Sequence, residues 1–360
     1  MRVADGLPLA QTEPGHEARA RVRFQDPRIE MAHGAGGTAS RRLIEGLVVP
    51  LAGVSTHAPL ADAAYLDIAG TALAFTADSF VVRPLRFNGG SIGELAVYGT
   101  MNDLAVSGAR PMALLTTLVI EAGLSTQVLE AELRALGEAA ARHGVAIVGG
   151  DTKVVERGKA DGLYITTAGI GRLDSRLTVA ASRVQAGDRV LVSGPIGDHG
   201  ITILLARGDI DLRADLQSDT RSVWPFVEAM AEAAGSAVHW MRDPTRGGVA
   251  TALNELVRDR GLSIALDEDA VPVRDEVRGA CELLGLDPLH IANEGQVLAV
   301  VAAAAADAAL AAMQAVPGGE QAAIIGQVRE ERLRTVTVVS AYGGTRIIDM
   351  LVGDPLPRIC

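Results

Sequence analysis

The sequence predicts a layered α/β (α+β) protein of two domains with an extended tail, and three observations carry that expectation. Segments rich in β-formers alternate with segments of helical periodicity along most of the chain. At 360 residues there is enough chain for more than one core. Apolar residues make up 48% of the composition but aromatic ones only 3%, so the interior must be built from Ala, Val, Leu and Ile, which suits helices layered on sheets.

Residues 1–27 mix charges, prolines and glycines without the apolar stretch of a signal peptide and read as a flexible extension. The first domain is expected over residues 28–174. "ALAFTADSFVV" is a β-rich run, "SIGELAVYGTMNDLAVSGA" has helical spacing and "MALLTTLVIEAG" is again a strand. A helix follows in "STQVLEAELRALGEAAARHG", with Ser125 as N-cap and Gly144 as its stop, then strands in "VAIVGGDT" and "LYITTAGIGRL". The second domain is expected over residues 182–349. It starts at "GDRVLVSGPIGDHG", has helices in "VWPFVEAMAEAAG" and "TRGGVATALNELVRDRG" and strands in "LSIALD" and "GQVLAVVAA", and ends on a hairpin of "RLRTVTVV" with "GGTRIIDM". Residues 350–360, "MLVGDPLPRIC", form a mobile tail that Pro355 and Pro357 keep extended. Eleven residues reach at most about 36 Å.

Several function classes are excluded. A net charge of -11 disfavours nucleic acid, and the greasiest run, "VLAVVAAAAADAALAAM", is too alanine-rich and interrupted to span a membrane. Cys281 and Cys360, the two cysteines, cannot build a disulfide framework, which points to the cytoplasm. There is no HExxH and no P-loop, and the seven histidines are scattered, with His33 in the first glycine loop the exception.

What remains is glycine loops and carboxylates. "MAHGAGGTAS" could bring backbone amides close to a phosphate, as could "IVGGDTK" and "GPIGDHG", although glycine turns are most often only turns. Asp62, Asp78, Asp103, Asp151 and Asp243 sit at strand ends, at turns or in apolar helix patterns, where an unpaired carboxylate is costly. Each taken singly reads as a cap or turn residue. Five beside glycine loops suggest a hard-cation site of the kind that shares Mg²⁺ with nucleotide phosphates. Glu294, between an apolar loop and a strand, is either a turn carboxylate or a base.

"AHGAGG", "TADSFVV", "NDLAVSGARP", "VGGDTKVV", "MRDPTRGGVATALNE", "ANEGQ" and the final "PRIC" occur in that order from about residue 28 onward. Together they resemble the HypE family of hydrogenase maturation factors, carbamoyl dehydratases of the aminoimidazole ribonucleotide synthetase superfamily. The resemblance implies an N-terminal ATP-binding domain whose sheet pairs across a homodimer, and a C-terminal α/β domain. It makes Asp78, Asp103 and Asp243 the Mg²⁺ ligands and puts His33, Gly34, Gly36, Gly37, Asp62, Asp151 and Thr152 at the ATP site. Lys153 and Glu294 become the groups for charge stabilisation and proton abstraction.

The implied chemistry makes Cys360 a covalent carrier. A carbamoyltransferase, HypF, loads it; ATP phosphorylates the carbamoyl oxygen; phosphate departs as the nitrogen loses its protons; and the thiocyanate passes to a HypC–HypD complex as cyanide for the hydrogenase iron. Selenophosphate synthetases of the same superfamily are disfavoured, since "HGAGG" holds no cysteine. The alternative of another class is a recognition peptide captured by a partner, which leaves the ordered aspartates unexplained.

Overall fold

The structure, a computed structural model, describes residues 23–52, 61–208, 214–331, 333–353, 356 and 358–360. Most of the expected N-terminal extension (residues 1–22), and Pro355 and Pro357 of the expected extended tail, lie outside the described residues. The first half contains α1 (Gly37–Leu43), α2 (Val49–Ala52), β1 (Ala64–Ile68), β2 (Thr71–Phe80), β3 (Arg86–Phe87), β4 (Gly90–Ser91), α3 (Ile92–Val106), β5 (Ala109–Glu121), α4 (Thr126–Arg142), β6 (Ala146–Val155) and β7 (Leu163–Leu173). The second contains β8 (Arg189–Val192), α5 (Asp198–Arg207), α6 (Trp224–Ala233), β9 (Val238–Arg242), α7 (Gly248–Arg260), β10 (Ser263–Asp267), α8 (Asp275–Leu284), β11 (Leu298–Val301), α9 (Ala306–Gln314), β12 (Ala323–Arg329), β13 (Val336–Val339) and β14 (Thr345–Ile348).

Each half is built on one sheet. The first is ordered β1-β2-β7-β5-β6 and the second β14-β13-β10-β12-β8-β11-β9. The pairs are antiparallel except β5 with β6 and β10 with β13. The expected terminal hairpin is present, with Val336 opposite Ile348.

Local signals explain where elements start and stop. The Ser125 hydroxyl accepts from the Gln127 N–H at 3.3 Å, capping α4, and Gly144 beyond its end takes a φ of 65°. In α3 every residue except Glu94 and Asp103 is buried. A helix apolar on all sides must be covered on all sides. It is wedged between β2, β5 and β7 of the first sheet and α6 and β9 of the second half. The two halves therefore share a core: Phe80, Leu95 and Ile165 pack in one cluster with Ile201, Val277 and Ile291.

The tail belongs to the same cluster. Leu356 and Ile359 are buried in it, and Cys360 packs against it. Upstream, the carbonyls of Leu351 and Val352 accept from the N–H groups of Thr38 and Ala39 at 3.2 Å. This contact requires a glycine at position 37, where φ is +70° and a Cβ would lie 2.3 Å from the Leu351 carbonyl oxygen.

Candidate active site

The core of the site is a set of carboxylates brought together from both halves. Asp62 precedes β1, Asp103 lies in the last turn of α3 and Asp243 follows β9 directly. One carboxylate oxygen from each lies within 4.8 Å of the others. The Thr76 hydroxyl on β2 sits 2.7 Å from the Asp62 carbonyl and 3.0 Å from Asp103 Oδ2, tying the two together. Arg242 supplies the compensating charge, with Nε 3.1 Å from Asp62 Oδ1 and Nη2 3.0 Å from Glu255 Oε2.

One guanidinium does not balance so many carboxylates. Burial, and then Asp243, Asp62 and Asp78, hold the Asp103 carboxyl well above the ordinary range. Burial and Asp62 push Asp243 up to about 7 against the pull of Arg242, and burial raises Asp62. Carboxyls that keep their protons because they are buried and crowd one another form an all-oxygen donor set, which a hard divalent cation fits. Asp62, expected among the nucleotide residues, thus joins Asp103 and Asp243. Asp78, on β2, stands outside the trio but close enough to raise both Asp103 and Asp243.

Glu294 lies in the loop before β11, 3% exposed, and its Oε1 has no hydrogen-bond partner. Burial raises its carboxyl well above the usual range, and Asp219, Asp243 and Asp78 add to that. Its backbone is pinned at both ends. The Glu294 N–H donates to Asp219 Oδ1 at 3.0 Å, and its carbonyl accepts from Asn102 Nδ2 at 2.9 Å. The glycine that follows is obligatory, since a Cβ at Gly295 would meet the Asp219 carbonyl at 1.7 Å. Asp219 Oδ2 is a second buried oxygen without a partner.

The glycine loops have distinct fates. Gly36 and Gly37 both take positive φ, at 83° and 70°, with the Gly36 N–H donating to Ser40 Oγ at 2.8 Å. The Gly34 carbonyl accepts from Arg246 at 2.7 Å, which puts the first loop against the Gly247–Gly248 turn that opens α7 just after Asp243. His33 faces elsewhere: Nδ1 accepts from the Glu30 N–H and Nε2 lies on Asp26 Oδ2, both at 2.8 Å.

Asp151, Thr152 and Lys153 lie on the exposed edge strand β6, with Lys153 Nζ 2.5 Å from Asp151 Oδ2. Asp151 pairs with Thr117, Thr117 with Thr166 and Thr166 with Ser79. Three strand spacings, roughly 14 Å, therefore separate this edge from the strand that carries Asp78. Within one chain these residues do not meet the carboxylates.

Cys360 docks at the end of β2. Its carbonyl accepts from the Val81 N–H at 2.9 Å, just beyond the strand that bears Asp78. Cys281, by contrast, is buried in α8, and burial pushes its thiol up to about 11, the mark of an inert thiol.

Sequence reading passed over Arg242, Asn102, Asp219 and His199. The first two had a signal: each is the polar neighbour of a singled-out aspartate in an otherwise apolar stretch, "MRDP" and "MNDL". The other two had none.

Residues 60–173 match the N-terminal domain family of AIR synthase related proteins and residues 185–339 the C-terminal domain family. The carbamoyl dehydratase HypE of Bradyrhizobium diazoefficiens is 45% identical over 332 residues, 92% of this chain and 96% of that protein. A crystal structure of a HypE–HypF complex superposes with a TM-score of 0.81 at 40% identity, covering 86% of this chain and 99% of that one. One of a HypE in complex with ATP gives 0.77 at 42% identity, covering 92% of this chain and 100% of the other.

Proposed function

Because the chain belongs to the HypE family of AIR synthase related proteins, we propose that it dehydrates an S-carbamoyl group on its own Cys360 to a thiocyanate at the expense of ATP, releasing ADP and phosphate, during hydrogenase maturation. The observation that carries the reading is the tail: Cys360 is tied to Val81, at the end of the strand bearing Asp78. A carrier thiol and a carboxylate site thus share one region of the molecule.

Each step falls to residues of that region. Asp103 and Asp243, with Asp62 or Asp78, would hold Mg²⁺, which when bound supplies positive charge to phosphoryl oxygens. Gly34, Gly36 and Gly37, opposite the Gly247–Gly248 turn, would form the phosphate loop, with the Leu351–Val352 segment that now takes the Thr38 and Ala39 amides moving aside for ATP. Transfer of the γ-phosphoryl to the carbamoyl oxygen turns a poor leaving group into phosphate. Departure of phosphate must then be matched by loss of nitrogen protons. Glu294 Oε1, buried and unpartnered, is the acceptor, able to take a proton once the carboxylates facing it are neutralised.

A second copy completes the arrangement. The first sheet exposes apolar side chains, among them Phe75, Met112, Leu115, Val148 and Val154. Burying them in a homodimer would also let Lys153, remote from the carboxylates in its own chain, serve the partner's site. HypF is the proposed carbamoyl donor and a HypC–HypD complex the cyanide acceptor, in the cytoplasm. No helix among the described residues is long and apolar enough to cross a membrane. The test is to load Cys360 with a carbamoyl group, add MgATP and follow intact mass. Loss of one water from the C-terminal peptide is expected, and ATP hydrolysis with an unchanged carbamoyl adduct would refute the reading.

A further inference from the structure

His199, the second residue of α5, is completely buried and is used by none of the steps above. Its two ring nitrogens are both engaged. Nε2 lies 2.7 Å from the Ile359 carbonyl oxygen and Nδ1 2.8 Å from Ser218 Oγ, while the ring stands edge-on to Phe87 at 5.6 Å. A carbonyl only accepts, so Nε2 carries the hydrogen. In the neutral ring Nδ1 then accepts from the Ser218 hydroxyl. Ser218 Oγ is in turn 2.6 Å from Thr220 Oγ1 and accepts from the Thr220 N–H at 3.1 Å. Donation runs in one direction, from Thr220 through Ser218 and His199 to the tail.

The neighbouring tail carbonyls are held as well. Arg207, the last residue of α5, donates to the Arg358 carbonyl at 2.6 Å, and the Val81 N–H takes that of Cys360. Three successive carbonyls are thus bound, two of them by side chains at opposite ends of one helix. Arg358 holds a φ of 60°, unfavourable for a residue with a Cβ, and is fixed there by its ion pair with Asp161. All these contacts read the tail backbone or the Arg358 side chain.

We propose that His199 is a positioning residue that seats the carrier tail through the Ile359 carbonyl and, by way of the Ser218–Thr220 loop, keeps the thiol end in register with Glu294. The link is direct, because Asp219 lies between Ser218 and Thr220 and accepts from the Glu294 N–H at 3.0 Å. One loop therefore fixes both the tail and the proton acceptor. This inference rests on the carbamoyl dehydratase reading for its purpose but not for its geometry.

The experiment compares full-length wild type, His199→Phe, His199→Gln and Arg207→Ala. Phenylalanine keeps the packing against Phe87 and deletes both hydrogen bonds, whereas glutamine retains a donor. Alkylation of Cys360 by iodoacetamide, read by peptide mass spectrometry with buried Cys281 as the unfolding control, should be about tenfold faster in His199→Phe, the scale of one lost hydrogen bond. His199→Gln should stay within about threefold of wild type. Single-turnover dehydration of the carbamoyl-loaded tail should fall about tenfold in His199→Phe, with the half-saturating ATP concentration unchanged. If His199→Phe fails to fold, Arg207→Ala, at a partly exposed helix end, decides by the same alkylation readout. Wild-type alkylation and turnover in a folded His199→Phe would overturn the proposal. Wild type that never dehydrates a loaded tail sinks the functional reading instead, and the alkylation rates still judge the seat.

Discussion

Removing one carboxylate from the acidic trio should stabilise the metal-free protein while abolishing its turnover. The perturbation is Asp243→Asn, which keeps shape and hydrogen bonding and deletes a buried charge. Asp243 loses its proton only at about 7 instead of the ordinary 3.8. Ionising it in the folded chain therefore costs about 4 kcal/mol at 1.36 kcal/mol per pH unit. The sign follows from which state holds the proton longer. Below pH 4 both states are protonated and the native state keeps its full advantage; as the pH rises towards 7 the unfolded chain ionises freely and that advantage is lost. Asp62 and Asp103 ionise more readily once Asp243 is neutral, which adds to the difference, so the expected gain at pH 8 is at least ~2 kcal/mol. Urea unfolding in EDTA at pH 4 and pH 8 measures it. The variant should match wild type at pH 4, exceed it at pH 8, and fail to regain ATP-dependent dehydration with Mg²⁺. A variant no more stable than wild type at pH 8, or one that turns over normally, would refute the argument that mutual repulsion poises these residues for a cation.

Cys360→Ala should abolish product, detected by mass spectrometry, while costing less than about 1 kcal/mol of stability, because Ile359 and not Cys360 carries the buried surface of the tail end. Glu294→Gln should bind ATP and accept the carbamoyl group yet form no thiocyanate, since the amide cannot take a proton; undiminished thiocyanate would shift the role to Asp219 or water. Leu115→Glu, on the exposed sheet face, should convert a dimer to monomer in sedimentation velocity, and because Lys153 would then be lost from the partner's site, turnover should fall with it. A Leu115→Glu dimer of normal activity would remove that face from the interface.

The order of the motifs was enough to identify the family, because each motif is a local device, such as a glycine where φ must be positive or an aspartate at a strand end. Elements with strong local signals are legible for the same reason. By contrast α5 is not, since "GPIGDHGITILLARG" has glycines at its start and no clear helical stripe, although Asp198–Arg207 is helical. Which carboxylates would meet was beyond the sequence. Asp62 and Asp78 looked alike as strand-end aspartates, and strand pairing with the packing of α3 decided that Asp62 faces Asp103 and Asp243. Arg242, Asn102 and His199 gained their roles only through contacts between residues far apart in the chain, as between Asn102 and Glu294 or His199 and Ile359. Composition and periodicity report which residues a chain has and which face of an element they occupy. The cost of a buried charge, and the partner that relieves it, exist only once the elements have packed.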